Sequence, residues 1–195
     1  MHCSCPYASS TVAVLHSRPL ADSTPTLRSP PDYFSDTLLG SRVTSYCIDT
    51  SALIAAWYER YKPSRFPNLW HQFDGLIGAH RLLSSIMVLD ECSRRSPELH
   101  EWLKMRSDMF LMPDTEVQTR VDYIINTYTG LVAQGKEKFA ADPFLIAMAE
   151  IHGHTVVTEE TGPDSLRKIP GVCRALKVPS INLMQLFDAE DWVIG

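Results

Sequence analysis

No apolar run in this chain approaches the roughly twenty residues that a membrane-spanning helix needs. The first residues also lack a basic flank followed by a sustained apolar core, so no secretory signal is expected. Paired C-x-x-C spacing is missing: the five cysteines (Cys3, Cys5, Cys47, Cys92, Cys173) are scattered and odd in number, which argues against a zinc ribbon or a secreted disulfide scaffold. A reducing cytoplasm is the expected compartment, and Cys3-Ser4-Cys5 is given no role. Gly-rich phosphate loops and a nucleophilic Ser-His-Asp order are absent too. Nor is there an excess of basic residues: Lys and Arg number 18 against 23 Asp and Glu, a net charge of -5. That balance excludes a generally basic nucleic-acid coat, although clustered Arg and Lys can still make one site locally positive.

What remains is the composition of an ordinary globular protein, 45% hydrophobic and 21% charged over 195 residues, enough for one domain with a full core. Residues 1–43 are rich in Ser, Thr and Pro, include Ser29-Pro30-Pro31, and carry no apolar period. They read as a disordered extension, either a regulatory tail or the product of an upstream start codon. Residues 44–190 read as the folded domain. Strands are predicted near 43–48, 81–84, 109–112, 154–158 and 179–182.

Between the strands lie helical patterns. Leu53, Ile54, Trp57 and Tyr61 share a face until Pro63; Pro67 opens a helix through Phe73 and Ile77; Ser96-Pro97-Glu98 opens another. Asp114 caps a helix carrying Val117, Val121 and Ile124, Asp142-Pro143 opens one that Gly153 ends, and short helices follow at 170–176 and up to about Asp188. Alternation of this kind, with strands that do not alternate polar and apolar, predicts an α/β fold: a parallel sheet covered by helices on both faces.

Asp49 ends the apolar run Ser45-Tyr46-Cys47-Ile48 and precedes Thr50-Ser51 and the stretch Ala52-Leu53-Ile54. It therefore sits where a buried strand turns into a helix, at the sheet edge where such folds place ligands. Glu91 in Val88-Leu89-Asp90-Glu91, Asp142 in Ala141-Asp142-Pro143, and Glu159-Glu160 after Val156-Val157-Thr158 stand at comparable junctions. Acids converging on one edge repel one another, so the conjunction points to a divalent cation, Mg2+ or Mn2+, which prefers oxygen ligands. Each acid alone has a structural reading as well. Asp142 before Pro143 suits a helix N-cap, Glu91 a solvated helix face, Glu159 and Glu160 loop charges, and Asp49 a turn cap.

The blocks Tyr46-Cys47-Ile48-Asp49-Thr50-Ser51-Ala52-Leu53-Ile54, Val88-Leu89-Asp90-Glu91, Ala141-Asp142-Pro143-Phe144-Leu145-Ile146-Ala147 and Val156-Val157-Thr158-Glu159-Glu160 resemble the successive acidic motifs of PIN-domain ribonucleases. The nearest likeness is to the DUF4411 branch, related to the VapC-type toxins of toxin-antitoxin systems. It extends through Lys168-Ile169-Pro170-Gly171-Val172-Cys173 and Ile181-Asn182-Leu183.

The resemblance implies a PIN-like three-layer fold and a metal-dependent endoribonuclease acting on RNA. Asp49, Glu91 and Asp142 match the first three acids of the motif. For the fourth, Glu160 is the first choice and Glu159 the alternative, because many relatives carry an aspartate one position further on. A cognate antitoxin, often inserting a basic side chain among the carboxylates, is the implied protein partner, and self-association as a homodimer is allowed.

Hydrolysis of a phosphodiester needs a nucleophilic water and a counter-charge for the phosphate oxygens, both of which bound Mg2+ supplies. Thr50, Ser51 and Thr158 carry hydroxyls able to orient a carboxylate, or to serve as caps. Arg94, Arg95, Lys136, Lys138, Arg167 and Lys168 are the basic residues nearest the motifs and are candidates for RNA phosphate contacts, against the reading of a solvated basic face. His152-Gly153-His154 is read as a helix end, and Trp57, Trp70 and Trp102 as core. Two rivals remain: a PIN-like interaction module without catalysis, and an acid-metal phosphatase of the haloacid dehalogenase type. The phosphatase would need a second acid where this chain has Ser51.

Overall fold

β1 (Tyr46–Ile48) is the central strand of the sheet. The computed structural model describes residues 43–132 and 140–194. The predicted disordered extension, apart from Val43, and also Lys136 and Lys138, lie outside those residues. Five strands pair in the order β3-β2-β1-β4-β5, every pair parallel: β2 is Leu82–Ser85, β3 Phe110–Leu111, β4 Thr155–Val157 and β5 Ser180–Ile181. Tyr46 pairs with Leu82 on one side and Thr155 on the other. The chain builds the sheet outward from β1 to β3, then returns to lay β4 on the other side of β1. The strand order thus reverses between β1 and β4, which opens a crevice at their carboxyl ends.

Helices fill the crossovers. α1 (Thr50–Ile54) continues as a π-helical stretch, Ala55–Arg60; α2 is Pro67–Gly78, α3 Ile86–Arg95, α4 Pro97–Lys104, α5 Thr115–Thr127, α6 Ala141–His152, α7 Ile169–Leu176 and α8 Leu183–Ala189. Pro67 and Pro97 stand in the first turns of α2 and α4, where a missing N–H costs nothing. Asp114 caps α5 by accepting the Val117 N–H at 2.8 Å, and Gly153 ends α6 in the left-handed region at φ 69°.

All the strand residues of β1 and β2 are buried, which is why they show no polar alternation. α6 is buried almost all round, through Leu145, Ile146, Ala147, Met148 and Ala149, because it packs against β1, β2 and β4 while touching α3, α5 and α7. Of the tryptophans expected in the core, Trp70 is buried and Trp57 and Trp102 pack against the core partly buried: Trp57 meets Trp70 edge-on with centroids 4.9 Å apart, and Trp70 meets Trp102 the same way at 4.9 Å.

The amino-terminal edge of the sheet is closed by an ion pair. Arg81, just before β2, grips Glu190 after α8 through two nitrogens, and the Tyr46 hydroxyl donates to the same carboxylate at 2.7 Å. Burial and this carboxylate push the Tyr46 phenol far above its ordinary range. Among the described residues no helix is long and apolar enough to cross a membrane.

Candidate functional site

Asp49 follows β1 directly, so the strand delivers its carboxylate into the crevice between β1 and β4. It is 4% exposed. Its Oδ1 accepts the Ala52 N–H at 2.7 Å, capping α1, and the Ser51 hydroxyl lies within reach of both oxygens, at 3.0 and 2.8 Å. Thr158, at the end of β4, donates its hydroxyl to Oδ2 at 2.8 Å. Burial pushes the Asp49 carboxyl up to about 6; the donors from Ala52, Ser51 and Thr158 oppose the rise and the Glu160 charge adds to it. Asp49 is thus both a cap and a member of the acidic site.

Glu91 is placed differently from its expected position at a junction. It lies in the body of α3, and it reaches the edge because α3 begins directly where β2 ends, with Ser85 as both last strand residue and N-cap. Thr50 donates to its Oε2 at 2.8 Å, and Arg95, one turn on, to its Oε1 at 2.7 Å. The hydroxyls of Thr50, Ser51 and Thr158 therefore hold the acids, as their sequence positions suggested.

The N-cap reading of Asp142 is corrected by the structure. Ala140 occupies the cap position of α6, Ala141 is already helical, and Asp142 stands one residue further in with its carboxylate free of any capping bond. It makes no hydrogen bond or ion pair to another described residue. Burial, then the charges of Glu160, Asp49 and Glu91, push its carboxyl up to about 7, while Lys168 opposes the rise. Asp142 therefore lies within electrostatic reach of the other three acids.

The two glutamates after β4 part company. Glu160 turns toward Asp49 and Asp142 in charge, accepts the Ile169 N–H at 2.9 Å at the start of α7, and pairs with Lys168 at 2.9 Å. Glu159 accepts the Leu183 N–H at 2.9 Å and pairs with Arg60 of the π-helical stretch at 2.5 Å. The Glu160 charge thus acts on Asp49 and Asp142, while Glu159 braces α8.

Of the basic candidates, Arg95 and Lys168 sit on the acids themselves, and the Lys168 ammonium is held above its ordinary range by Glu160. Arg94 lies exposed on the last turn of α3. Arg167 lies over Gly130, where an added Cβ would meet its side chain at 2.7 Å. Sequence reasoning missed the Arg60–Glu159 pair, which nothing local in the chain signals. The Glu91–Arg95 pair is signalled by its spacing of one helical turn.

The donor set is all carboxylate and hydroxyl oxygen, the chemistry that Mg2+ and Mn2+ take, and Asp142 is a half-buried carboxylate with no hydrogen-bond or ion-pair partner among the described residues. The residues fit such an ion in chemistry. In this arrangement, however, no group of three or more His, Cys, Asp and Glu side chains among the described residues is gathered closely enough to hold one. Loading therefore requires the carboxylates to move together, and Lys168 and Arg95 to yield.

These features define an α/β protein with an acidic site at the switch point of a five-stranded parallel sheet. Residues 46–194, most of the chain, match the family model described as a domain of unknown function, DUF4411, and the chain belongs to that family. No curated protein matches it.

Proposed function

We propose that this chain is a divalent-metal-dependent endoribonuclease that hydrolyses RNA phosphodiester bonds, and that it is the toxin of a type II toxin-antitoxin pair. One observation carries the reading: Asp142, which feels the charges of Glu160, Asp49 and Glu91 at the switch-point crevice, has neither a cap role nor a hydrogen-bond or ion-pair partner among the described residues. Uncompensated acid in that place is costly to a protein that does not use it. The motif likeness to PIN-domain ribonucleases supplies the reaction class, and the sheet order is consistent with a PIN-like three-layer fold.

In this reading Asp49, Glu91, Asp142 and Glu160 hold Mg2+ or Mn2+, which when bound supplies an acidified water and counter-charge for the phosphate oxygens. The chain's own groups do the rest. Ser51 and Thr158 orient Asp49, and Thr50 orients Glu91. Lys168 and Arg95 pair with the acids, Arg94 lies exposed on the last turn of α3, and these cations are suited to phosphate contacts once the RNA arrives. The test is cleavage of a labelled RNA in Mg2+ or Mn2+ against the same reaction in EDTA: metal-dependent internal cuts support the reading.

A second reading has one observation in its favour. Lys168 and Arg95 already neutralise two of the acids, as in a PIN-like interaction module that binds a partner without catalysis. Such a module would capture an antitoxin-like partner, leave RNA intact, and be indifferent to chelators.

A further inference from the structure

The acidic edge opens into a cavity of about 400 Å³ that the proposed chemistry does not use. Its volume is within the ~300–1,000 Å³ typical of small-molecule sites. Thr158 and Glu160 form the wall shared with the acidic site. Pro163, Pro170 and Ile181 supply apolar surface, and the loop folds around the cavity through Gly162, whose φ of 103° suits glycine. Thr161, Ser180, Asn182 and Gln185 supply its other polar groups.

The character of those polar groups is set by the start of α8. Asn182 Oδ1 accepts the Gln185 N–H at 2.9 Å, and Gln185 Oε1 accepts the Asn182 N–H at 2.9 Å. This reciprocal cap turns both amide oxygens toward the helix backbone, and the two NH2 groups, neither bonded to another described residue, are the donors the side chains still offer. The Leu183 N–H is spent as well, since Glu159 takes it. A phosphate placed here would meet Glu160 on the wall and Glu159 beside it, with no free backbone N–H from Leu183 or Gln185 to receive it. A neutral, flat ligand carrying acceptors meets apolar walls and unused donors instead.

We propose that this cavity is a nucleobase subsite beside the scissile phosphodiester. It selects uracil or guanine, which carry a carbonyl where cytosine and adenine carry an amino group. The proposal rests on the ribonuclease reading. The two amides donate to the carbonyl, the prolines and Ile181 cover the ring, and Glu160 links the subsite to the acids that act on the adjoining phosphate.

The test uses the full chain and two near-isosteric variants, Asn182→Asp and Gln185→Glu. Asp caps a helix as well as Asn does, and Glu can take the Gln place in the capping box, so α8 is kept while a donor becomes an acceptor. Cuts are mapped on an RNA containing every dinucleotide. The ratio of cutting beside uracil or guanine to cutting beside cytosine or adenine is the readout, because uniform repulsion from the added charge does not move a ratio. The wild type should favour uracil and guanine by roughly tenfold, and each variant should lose or invert that preference.

If either variant melts early, Asn182→Ser, which caps through a hydroxyl and has no NH2, carries the same test. Should a variant cut too slowly, the affinity ratio for uracil- and cytosine-containing oligomers, read by fluorescence anisotropy in EDTA, replaces the cutting ratio. Equal cutting beside all four bases, or wild-type preference in every variant, overturns the subsite and leaves the nuclease reading standing. Failure of the wild type to cut any RNA overturns both.

Discussion

The Thr158 hydroxyl donates to Asp49 Oδ2 across 2.8 Å, joining residues 109 positions apart in sequence. That bond spans the switch point, tying the end of β4 to the end of β1, and it is buried, with Thr158 only 3% exposed. Thr158→Val keeps the shape and removes the donor. Near pH 8, where Asp49 is ionised, the substitution should cost about 1.5–3 kcal/mol, the usual worth of a bond to a charged acceptor. Near pH 5, where the Asp49 carboxyl at about 6 is largely protonated, the cost should be smaller. Urea unfolding at the two pH values measures both, and equal costs would count against Asp49 as the partner.

Metal-free stability should fall as pH rises. The Asp49 and Asp142 carboxyls stand at about 6 and about 7 in the folded chain against 3.8 for an ordinary aspartate. Between those values the folded chain holds protons that the unfolded chain has released. The stabilisation is therefore complete below the ordinary value and is lost as pH climbs through 6 and 7. Melting in EDTA from about pH 5 to 8 should show a declining midpoint, and Asp142→Asn should flatten the decline. Added Mn2+ should raise the midpoint more at pH 8 than at pH 5. A midpoint that rises over this range would contradict the assignment.

Lys168→Met and Arg95→Met test whether these cations stand in the way of the ion. Each removes the partner of one acid, Glu160 or Glu91, so calorimetric Mn2+ affinity should increase severalfold while affinity for RNA phosphate decreases. Unchanged Mn2+ affinity in both variants would make the pairs ordinary surface bridges.

Gly171 lets α7 approach the loop after β4. A Cβ there would stand 2.0 Å from the Ser165 carbonyl oxygen, a backbone atom with no rotamer to escape into. Gly171→Ala should therefore cost about 1–3 kcal/mol and lower the melting point by several degrees. Gly75→Ala is the control: it lies in α2 with nothing within 4 Å of the added methyl, so it should be neutral or slightly stabilising. Equal effects of the two would remove the packing argument.

The helices were legible because their signals are local. Prolines at 67 and 97, the Asp114 cap and the Gly153 stop all sit at the ends where the spacing of apolar residues puts them. The strands were legible in order but shorter than expected: β1 runs only from Tyr46 to Ile48, and β5 holds two residues, because pairing ends where the edge turns.

Asp142 was the clearest miss in local structure. The Asp-Pro pair suggested a cap followed by proline at the first position, yet proline is tolerated throughout the first turn, and the helix starts one residue before Asp142. Within the site, Asp49, Glu91, Asp142 and Glu160 could be named from their places beside apolar segments. The choice of Glu160 over Glu159 depends on Arg60 and Leu183, which are far away in sequence and leave no local trace.

Cleavage of labelled RNA by Asp142→Asn in Mg2+ and in Mn2+, run beside Asp49→Asn and the wild type with thermal melts in EDTA, tests the central claim most directly. Asp142 carries no cap bond for Asn to disturb, and neutralising it relieves repulsion from Glu160, Asp49 and Glu91. The account predicts an Asp142→Asn protein that melts at or above the wild-type temperature without metal and cuts RNA roughly a thousandfold more slowly or worse. Near wild-type cutting by a folded Asp142→Asn protein would contradict it.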